Sequence, residues 1–303
     1  MRKNKKNLLI IGASGLLGRT LCEYFTKYFK VYGIRIKHPI NITDVQDIKA
    51  DVADTKEIFK LMNKINPTYV IYAAGISNVD NCEKNKENAY KLHVEIPEQL
   101  TTYVNSINSK MVYISTDQLW DGKEKMIKET KKPEPMNAYA RTKSECEKRV
   151  ILSSERSLII RTNFFGPGPT WRTSISDWII NSLRANRGIK AFHDIYFTPI
   201  STKFIAFYLK KLLNKEAKGI FNLVGSERIS KYEFARKVAG FFELPVNKIE
   251  RCSVSEANLI ANRPRDMSLS TKKISSFLGE KMPSVSDSIK SLLVSKNKNY
   301  KRL

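Results

Sequence analysis

The sequence predicts a doubly wound α/β fold, a parallel sheet covered by helices on both faces, with a smaller C-terminal lobe. Three observations predict it. Apolar, β-rich runs alternate with helix-like stretches through the first half of the chain, the pattern of strands buried on both faces. The first run leads directly into a glycine-rich turn, "GASGLLG" at 12–18. After Asn163 the rhythm breaks at "FFGPGPTW", and shorter pieces follow.

Taken in order, "NLLIIG" (7–12) is the first strand and a helix runs from the turn to about Phe29. The start, "MRKNKKNLLIIGASGLLG", has the basic-then-apolar look of a secretory leader, but Gly12, Ser14 and Gly15 break the apolar stretch, so a buried strand is expected. "VYGIR" (31–35) is the second strand, a helix near 54–65 follows, and "TYVIYAAG" (68–75) is the third. One long helix at about 83–106 precedes the fourth strand, "KMVYISTD" (110–117). A helix at 137–153 and the strand "SLIIRTN" (157–163) complete this half. The expected division is a dinucleotide-binding domain over 1–165, with a returning segment near 195–215, and a substrate-binding lobe from 166–194 and 216–303. A cleft between two lobes is where a substrate would sit.

Composition narrows the class. The chain has 303 residues, 42% hydrophobic and 27% charged, which is globular. No apolar run reaches the roughly 18–20 residues of a spanning helix. Cys22, Cys82, Cys146 and Cys252 are scattered without CxxC or zinc-ligand spacing, so reduced structural thiols, a cytoplasmic location and no metal are expected. The formal net charge is +23, and eight of those charges lie on the tails (Arg2, Lys3, Lys5, Lys6, Lys296, Lys298, Lys301, Arg302), leaving +15 on the body. A basic body suits phosphorylated small molecules and nucleic acid alike, but no nucleic-acid module is recognisable, so none is expected as partner.

The turn now has the context it requires, with a strand before it and a helix after it. Gly12 permits the tight turn, Gly15 lets backbone approach a diphosphate, and Gly18 allows close helix–strand packing. The second strand ends in Arg35, where the acid that holds the ribose diol of NAD would stand. An arginine suits a 2′-phosphate, so NADP(H) is favoured over NAD(H). Asp51 lies where an adenine-facing carboxylate is expected, with a helix N-cap as its alternative.

"STD" (115–117) at a strand end and "YARTK" (139–143) on the next helix supply the chemistry. Tyr139 and Lys143 are four apart and share a helix face. An ammonium beside a phenol favours the phenolate and lowers its pKa. Thr116 can hold a carbonyl oxygen from the strand end.

On these residues the chain resembles the extended short-chain dehydrogenase/reductase superfamily, and within it the dTDP-4-dehydrorhamnose reductase family. "GASGLLG", "AAGISNVDNCE" (73–83), "STDQLWDG" (115–122), "YARTKSECE" (139–147), "RTNFFGPG" (161–168) and "NRPRDMSLSTKKI" (262–274) carry the resemblance over nearly the whole chain. It implies a Rossmann sheet and reduction of a nucleotide-linked 4-keto-6-deoxy sugar, with Tyr139 giving the proton and Thr116 and Lys143 assisting. It adds Ser14, Leu16, Leu17, Val52, Ala73, Ala74 and Gly75 as cofactor contacts. Ser77, Val79, Asp80, Asp117, Phe164, Trp171 and Arg263 follow as substrate contacts, with Trp171 and Phe164 flanking the sugar. A homodimer is compatible with it.

Two positions depart from the family. His93 stands where asparagine is usual in the proton relay, and an imidazole can still donate one hydrogen bond and accept one. Thr20 replaces a glutamate implicated in a metal-linked dimer contact, so that metal site does not carry over. Gln118 stands where the 4,6-dehydratases have a catalytic acid, which favours simple carbonyl reduction. An epimerase and a non-catalytic, NADP-binding regulatory subunit remain the alternatives.

Overall fold

A computed structural model describes residues 5–257 and 259–294. The basic tail residues Arg2, Lys3, Lys296, Lys298, Lys301 and Arg302 lie outside them. The chain opens with β1 (Asn7–Ile11), α1 (Leu16–Phe25), β2 (Lys30–Arg35), β3 (Val45–Lys49), α2 (Thr55–Ile65) and β4 (Tyr69–Tyr72). Then come α3 (Val79–Lys84), α4 (Lys86–Tyr90), a π-helical turn at Lys91–Glu95, α5 (Ile96–Ser106), β5 (Lys110–Ile114), α6 (Ala138–Ser153) and β6 (Leu158–Arg161). The second half runs β7 (Phe164–Phe165), α7 (Ile175–Arg184), β8 (Ile189–Phe192), β9 (Tyr196–Phe197), β10 (Ile200–Ser201), α8 (Thr202–Asn214) and β11 (Gly219–Asn222). It ends with β12 (Ile229–Ser230), α9 (Lys231–Phe241), β13 (Ile249–Cys252), α10 (Lys272–Leu278) and α11 (Val285–Lys290).

Seven parallel strands form the central sheet in the order β11-β6-β5-β4-β1-β2-β3. The order turns back between β1 and β4, so a crevice opens at their carboxyl ends, the position where such sheets take ligands. The central strands carry no polar alternation; β5 is buried at all five positions, as a sheet covered on both faces requires. One face is closed by α1 and α8, with Leu17, Leu21 and Phe25 in the same cluster as Ile205, Leu209 and Leu212. On the other, α2, α5 and α6 contribute Ile58, Met62, Leu100 and Val150. A separate core gathers Phe165, Ile180, Phe197, Phe234, Val238 and Ile249 in the smaller lobe, whose helices α7, α9 and α11 each begin at a serine capping box.

Three expectations are corrected. Val45–Lys49 is a strand at the sheet edge; its mostly polar, exposed residues hide it, and it makes the strand before "STD" the fifth, not the fourth. The helix expected at about 83–106 is broken once, at Asn85, which caps a new helix; from Lys86 to Ser106 the backbone stays helical, passing through the π-helical turn at Lys91–Glu95 just before Pro97. Gly219–Asn222, assigned to the lobe with the rest of 216–303, pairs with β6 instead.

Candidate active site

The glycine turn is held by backbone bonds from the N–H groups of Gly12 and Ala13 to the Ile34 carbonyl, at 3.1 and 3.0 Å. Gly12 has φ +85°, and a Cβ there would meet the Ala74 nitrogen at 2.6 Å; one on Gly18 would meet the Gly12 carbonyl at 2.2 Å. Gly15 differs: its missing Cβ would have only the Gly12 oxygen at 3.3 Å and one Arg172 nitrogen at 4.0 Å. Gly15 also caps α1 without a side-chain bond, and the first turn of that helix holds no acid. Uncapped N–H groups over an open approach fit a diphosphate. Ala73 and Ala74 follow β4 across the crevice, beside Gly75.

At the end of β2, Arg35 Nε donates to Asp47 Oδ1 on β3 at 2.9 Å. Here the sequence is misleading. An acid does stand at this strand end, brought across the sheet edge by the strand that sequence reasoning missed. Asp51 accepts from the Ala53 N–H at 2.9 Å, while Asp54 takes the N-cap of α2.

Tyr139 lies in the first turn of α6, which Asn137 caps by accepting from the Ala140 N–H. Burial pushes the phenol up to about 12, opposed by the nearby Thr116 hydroxyl and by the charge of Arg172. Lys143 is buried; its Nζ donates to the Ile114 carbonyl at 2.6 Å and lies 4.1 Å from the Tyr113 ring centroid. Burial brings this ammonium down to about 8. The expectation that Lys143 lowers the tyrosine pKa is thus corrected. The shared helix face exists, but the ammonium turns to a strand-end carbonyl, and desolvation of the phenol dominates.

His93 sits beneath this pair in the π-helical turn. Its Nε2 accepts from the Ile76 N–H at 2.9 Å, which assigns the ring proton to Nδ1, bonded to Thr142 Oγ1 at 2.9 Å. Thr142 in turn donates to the Tyr139 carbonyl at 2.9 Å. Burial and the Lys143 charge bring the imidazole down to about 3, so it is neutral. Both ring nitrogens are engaged by groups that position the Gly75–Ile76 loop and α6, which leaves neither for a proton relay.

Asp117 is buried, receives a bond from Asn163 Nδ2 at 2.6 Å, and is pushed up to about 6 by burial. Lys231 acts on it from the lobe, its own ammonium brought down to about 8 by burial and standing 3.4 Å from the Phe197 centroid. Sequence reasoning missed Lys231. Its signal was a cation at the first position of a helix, opposed to the dipole there. Behind the strand end, Ser115 donates to Glu147 at 2.5 Å, and Glu147 pairs with Arg161 through Nη2 at 2.7 Å, both side chains buried.

The expected substrate contacts separate. Val79 opens α3, and Phe164 is half-buried against the sheet core. Arg263 does not face a free cleft. Its Nη2 pairs with Asp80 at 2.9 Å, and Asp80 also accepts from the Ala261 N–H at 3.0 Å, tying the lobe to α3. Trp171 does not stand beside Phe164 as expected: its ring stacks on His38, beyond β2, at 4.3 Å and 12°. Among the described residues no cluster of His, Cys, Asp and Glu could hold a metal ion, and no helix is long and apolar enough to cross a membrane.

The RmlD substrate binding domain family model matches residues 6–297. A solved structure, a hypothetical dTDP-4-dehydrorhamnose reductase from Sulfolobus tokodaii, superposes with a TM-score of 0.82 at 30% identity, covering 92% of this chain and 97% of that one. The dTDP-4-dehydrorhamnose reductase from Bacillus anthracis in complex with NADP gives a TM-score of 0.85 at 22% identity, over 96% and 99%. Methionine adenosyltransferase 2 subunit beta of Pongo abelii is 24% identical over 92% of this chain and 84% of its own length.

Proposed function

The chain belongs to the RmlD substrate binding domain family, and from that premise we propose that it is a nicotinamide-dinucleotide-dependent reductase of a nucleotide-linked 4-keto-6-deoxy sugar, using NADPH in preference to NADH. The observation that carries the reading is Tyr139. A phenol kept protonated at neutral pH by burial, with Thr116 close enough to oppose that shift, stands at the sheet's carboxyl edge. Such a group can donate a proton to a forming alkoxide, and the dinucleotide, when bound, supplies the hydride. Gly12, Ser14, Gly15, Leu16, Leu17 and Gly18 hold the diphosphate end. Asp51 and Val52 border the adenine, Arg35 the 2′-phosphate, and Ala73, Ala74 and Gly75 the nicotinamide half. Thr116 holds the carbonyl oxygen and Lys143 the nicotinamide ribose.

Gln118 supports simple reduction over dehydration. Its Oε1 is buried without a partner among the described residues, and an amide can act as neither acid nor base. The sugar nucleotide lies towards the lobe, within reach of Asp117, Ser77 and Phe164.

The test is NADPH oxidation against dTDP-, UDP- and GDP-linked 4-keto-6-deoxy sugars. Turnover of one of them is expected, and no turnover of any would overturn the reading. The similarity to a methionine adenosyltransferase beta subunit favours a second reading, an NADP-binding regulatory subunit. That reading predicts tight dinucleotide binding, no reduction, and no loss of function in Tyr139→Phe.

A further inference from the structure

The segment that leads from the sheet into the lobe doubles back over the glycine turn. It is a tight reversal. The Arg172 N–H donates to the Pro169 carbonyl at 2.9 Å, and a Cβ on Gly168 would lie 2.2 Å from the Arg172 carbonyl oxygen. Asp177, in the first turn of α7, anchors it by accepting from the N–H groups of Gly168 and Ser174, each at 2.9 Å. The loop is therefore pinned at its base on the lobe side, with its tip facing the sheet.

Two side chains leave that tip in different directions. Trp171 reaches the loop beyond β2, where it stacks on His38 and lies 5.7 Å below the Arg19 guanidinium. Arg172 reaches the loop beyond β4, where Nη2 donates to Ser77 Oγ at 2.6 Å. Between these contacts lies Gly15, with Arg172 Nη1 as the nearest side-chain atom over it. The loop thus bridges both sides of the crevice and passes above the turn.

The charges are mismatched as they stand. Arg172 has no carboxylate partner among the described residues, and it faces the positive end of a helix whose first turn holds no acid. Two positive features opposed in this way repel, and a dianion between them turns the repulsion into two attractions. The one side-chain bond of Arg172 among the described residues goes to a neutral hydroxyl, so an exchange of partner breaks no ion pair.

We propose that residues 167–173 form a strap over the bound dinucleotide, in which Arg172 exchanges Ser77 for an oxygen of the diphosphate and Trp171 docks the strap on His38. The proposal rests on the dinucleotide site put forward above. It adds a contact from the lobe side, so that cofactor release requires the strap to lift.

Binding and release of NADPH in wild type, Arg172→Gln and Trp171→Ala test it, with adenosine 2′-monophosphate, which has no diphosphate, as the control ligand. A charge-assisted contact corresponds to about a 10- to 100-fold change in affinity. Arg172→Gln is expected to raise the Kd for NADPH by that factor, chiefly through faster dissociation, and to leave the Kd for adenosine 2′-monophosphate unchanged. Trp171→Ala is expected to speed NADPH dissociation. Wild-type NADPH affinity in Arg172→Gln overturns the strap, as does an equal loss for both ligands or an effect confined to KM for the nucleotide sugar. Failure of wild type to bind either NADPH or NADH overturns the dinucleotide site itself, a result distinct from all of these.

Discussion

Arg35 on β2 and Asp47 on β3 form an ion pair at 2.9 Å across the edge of the sheet, both side chains largely covered. The carboxylate that offsets the arginine comes from twelve residues further along, not from the strand end itself. A 2′-phosphate must compete with it for the guanidinium. NADPH is expected to bind more tightly than NADH, by less than the roughly 10- to 100-fold of an unopposed charge-assisted contact. Asp47→Asn should widen the difference and Arg35→Asp should erase it. Equal dissociation constants in wild type would remove Arg35 from the 2′-phosphate site.

Tyr139→Phe removes one hydroxyl and keeps the ring. If the phenol is the proton donor, kcat should fall about 10²- to 10⁴-fold, while NADPH affinity changes little. Lys143→Met should lower both. A Tyr139→Phe protein that reduces the sugar at the parental rate would contradict the assigned role.

Lys143 also sets a limit on the alkaline side. Its pKa is brought down to about 8 by burial, so the ammonium is present below that pH and lost above it. The kcat/KM profile for the sugar should hold below pH 8 and decline above it. A profile level to pH 10 would show that the charge on Lys143 is not required.

His93 is neutral in the fold, its pKa brought down to about 3 from an ordinary 6.5. The unfolded chain takes up a proton near pH 6.5 that the folded chain refuses, so acidification between those values favours unfolding. His93→Asn offers an acceptor to Ile76 and a donor to Thr142 without this titration. Its urea midpoint should fall less steeply than that of wild type between pH 6.5 and 4.5. Parallel slopes would mean that His93 is not held neutral.

The Glu147–Arg161 pair is buried on both sides. Glu147→Ala leaves the guanidinium uncompensated, which costs about 3–5 kcal/mol. Equilibrium unfolding in urea should detect a loss of that order, and a loss below 1 kcal/mol would mean that water reaches Arg161.

Buried strands announce themselves by apolar runs, so the sheet was legible from β1 to β6 with one omission. "VQDIK" (45–49) pairs on one side only and carries polar residues outward, which leaves no run to notice. The turn glycines and the Tyr139–Lys143 pair were legible because their spacing is local, and Thr116 because it closely follows an apolar strand. Partners supplied from elsewhere in the chain were not. Asp47 for Arg35, Asp80 for Arg263, His38 for Trp171 and Lys231 for Asp117 depend on which strands, helices and loops the fold brings together, and spacing along the chain does not reveal them. The direction of the tyrosine shift failed for a related reason. Spacing gives the proximity of Lys143 to Tyr139, whereas burial of the phenol depends on everything packed around it.

The strand β11 closes one edge of the central sheet, yet it is reached only after the chain has passed through α7, β8, β9 and α8. On a ribosome the nucleotide-binding half therefore cannot complete itself as it emerges; β6 waits with an open edge until Asn222 has been synthesised. The same interleaving means that a cut after residue 165 takes from the amino-terminal fragment both its edge strand β11 and the helix α8 that covers one face of its sheet.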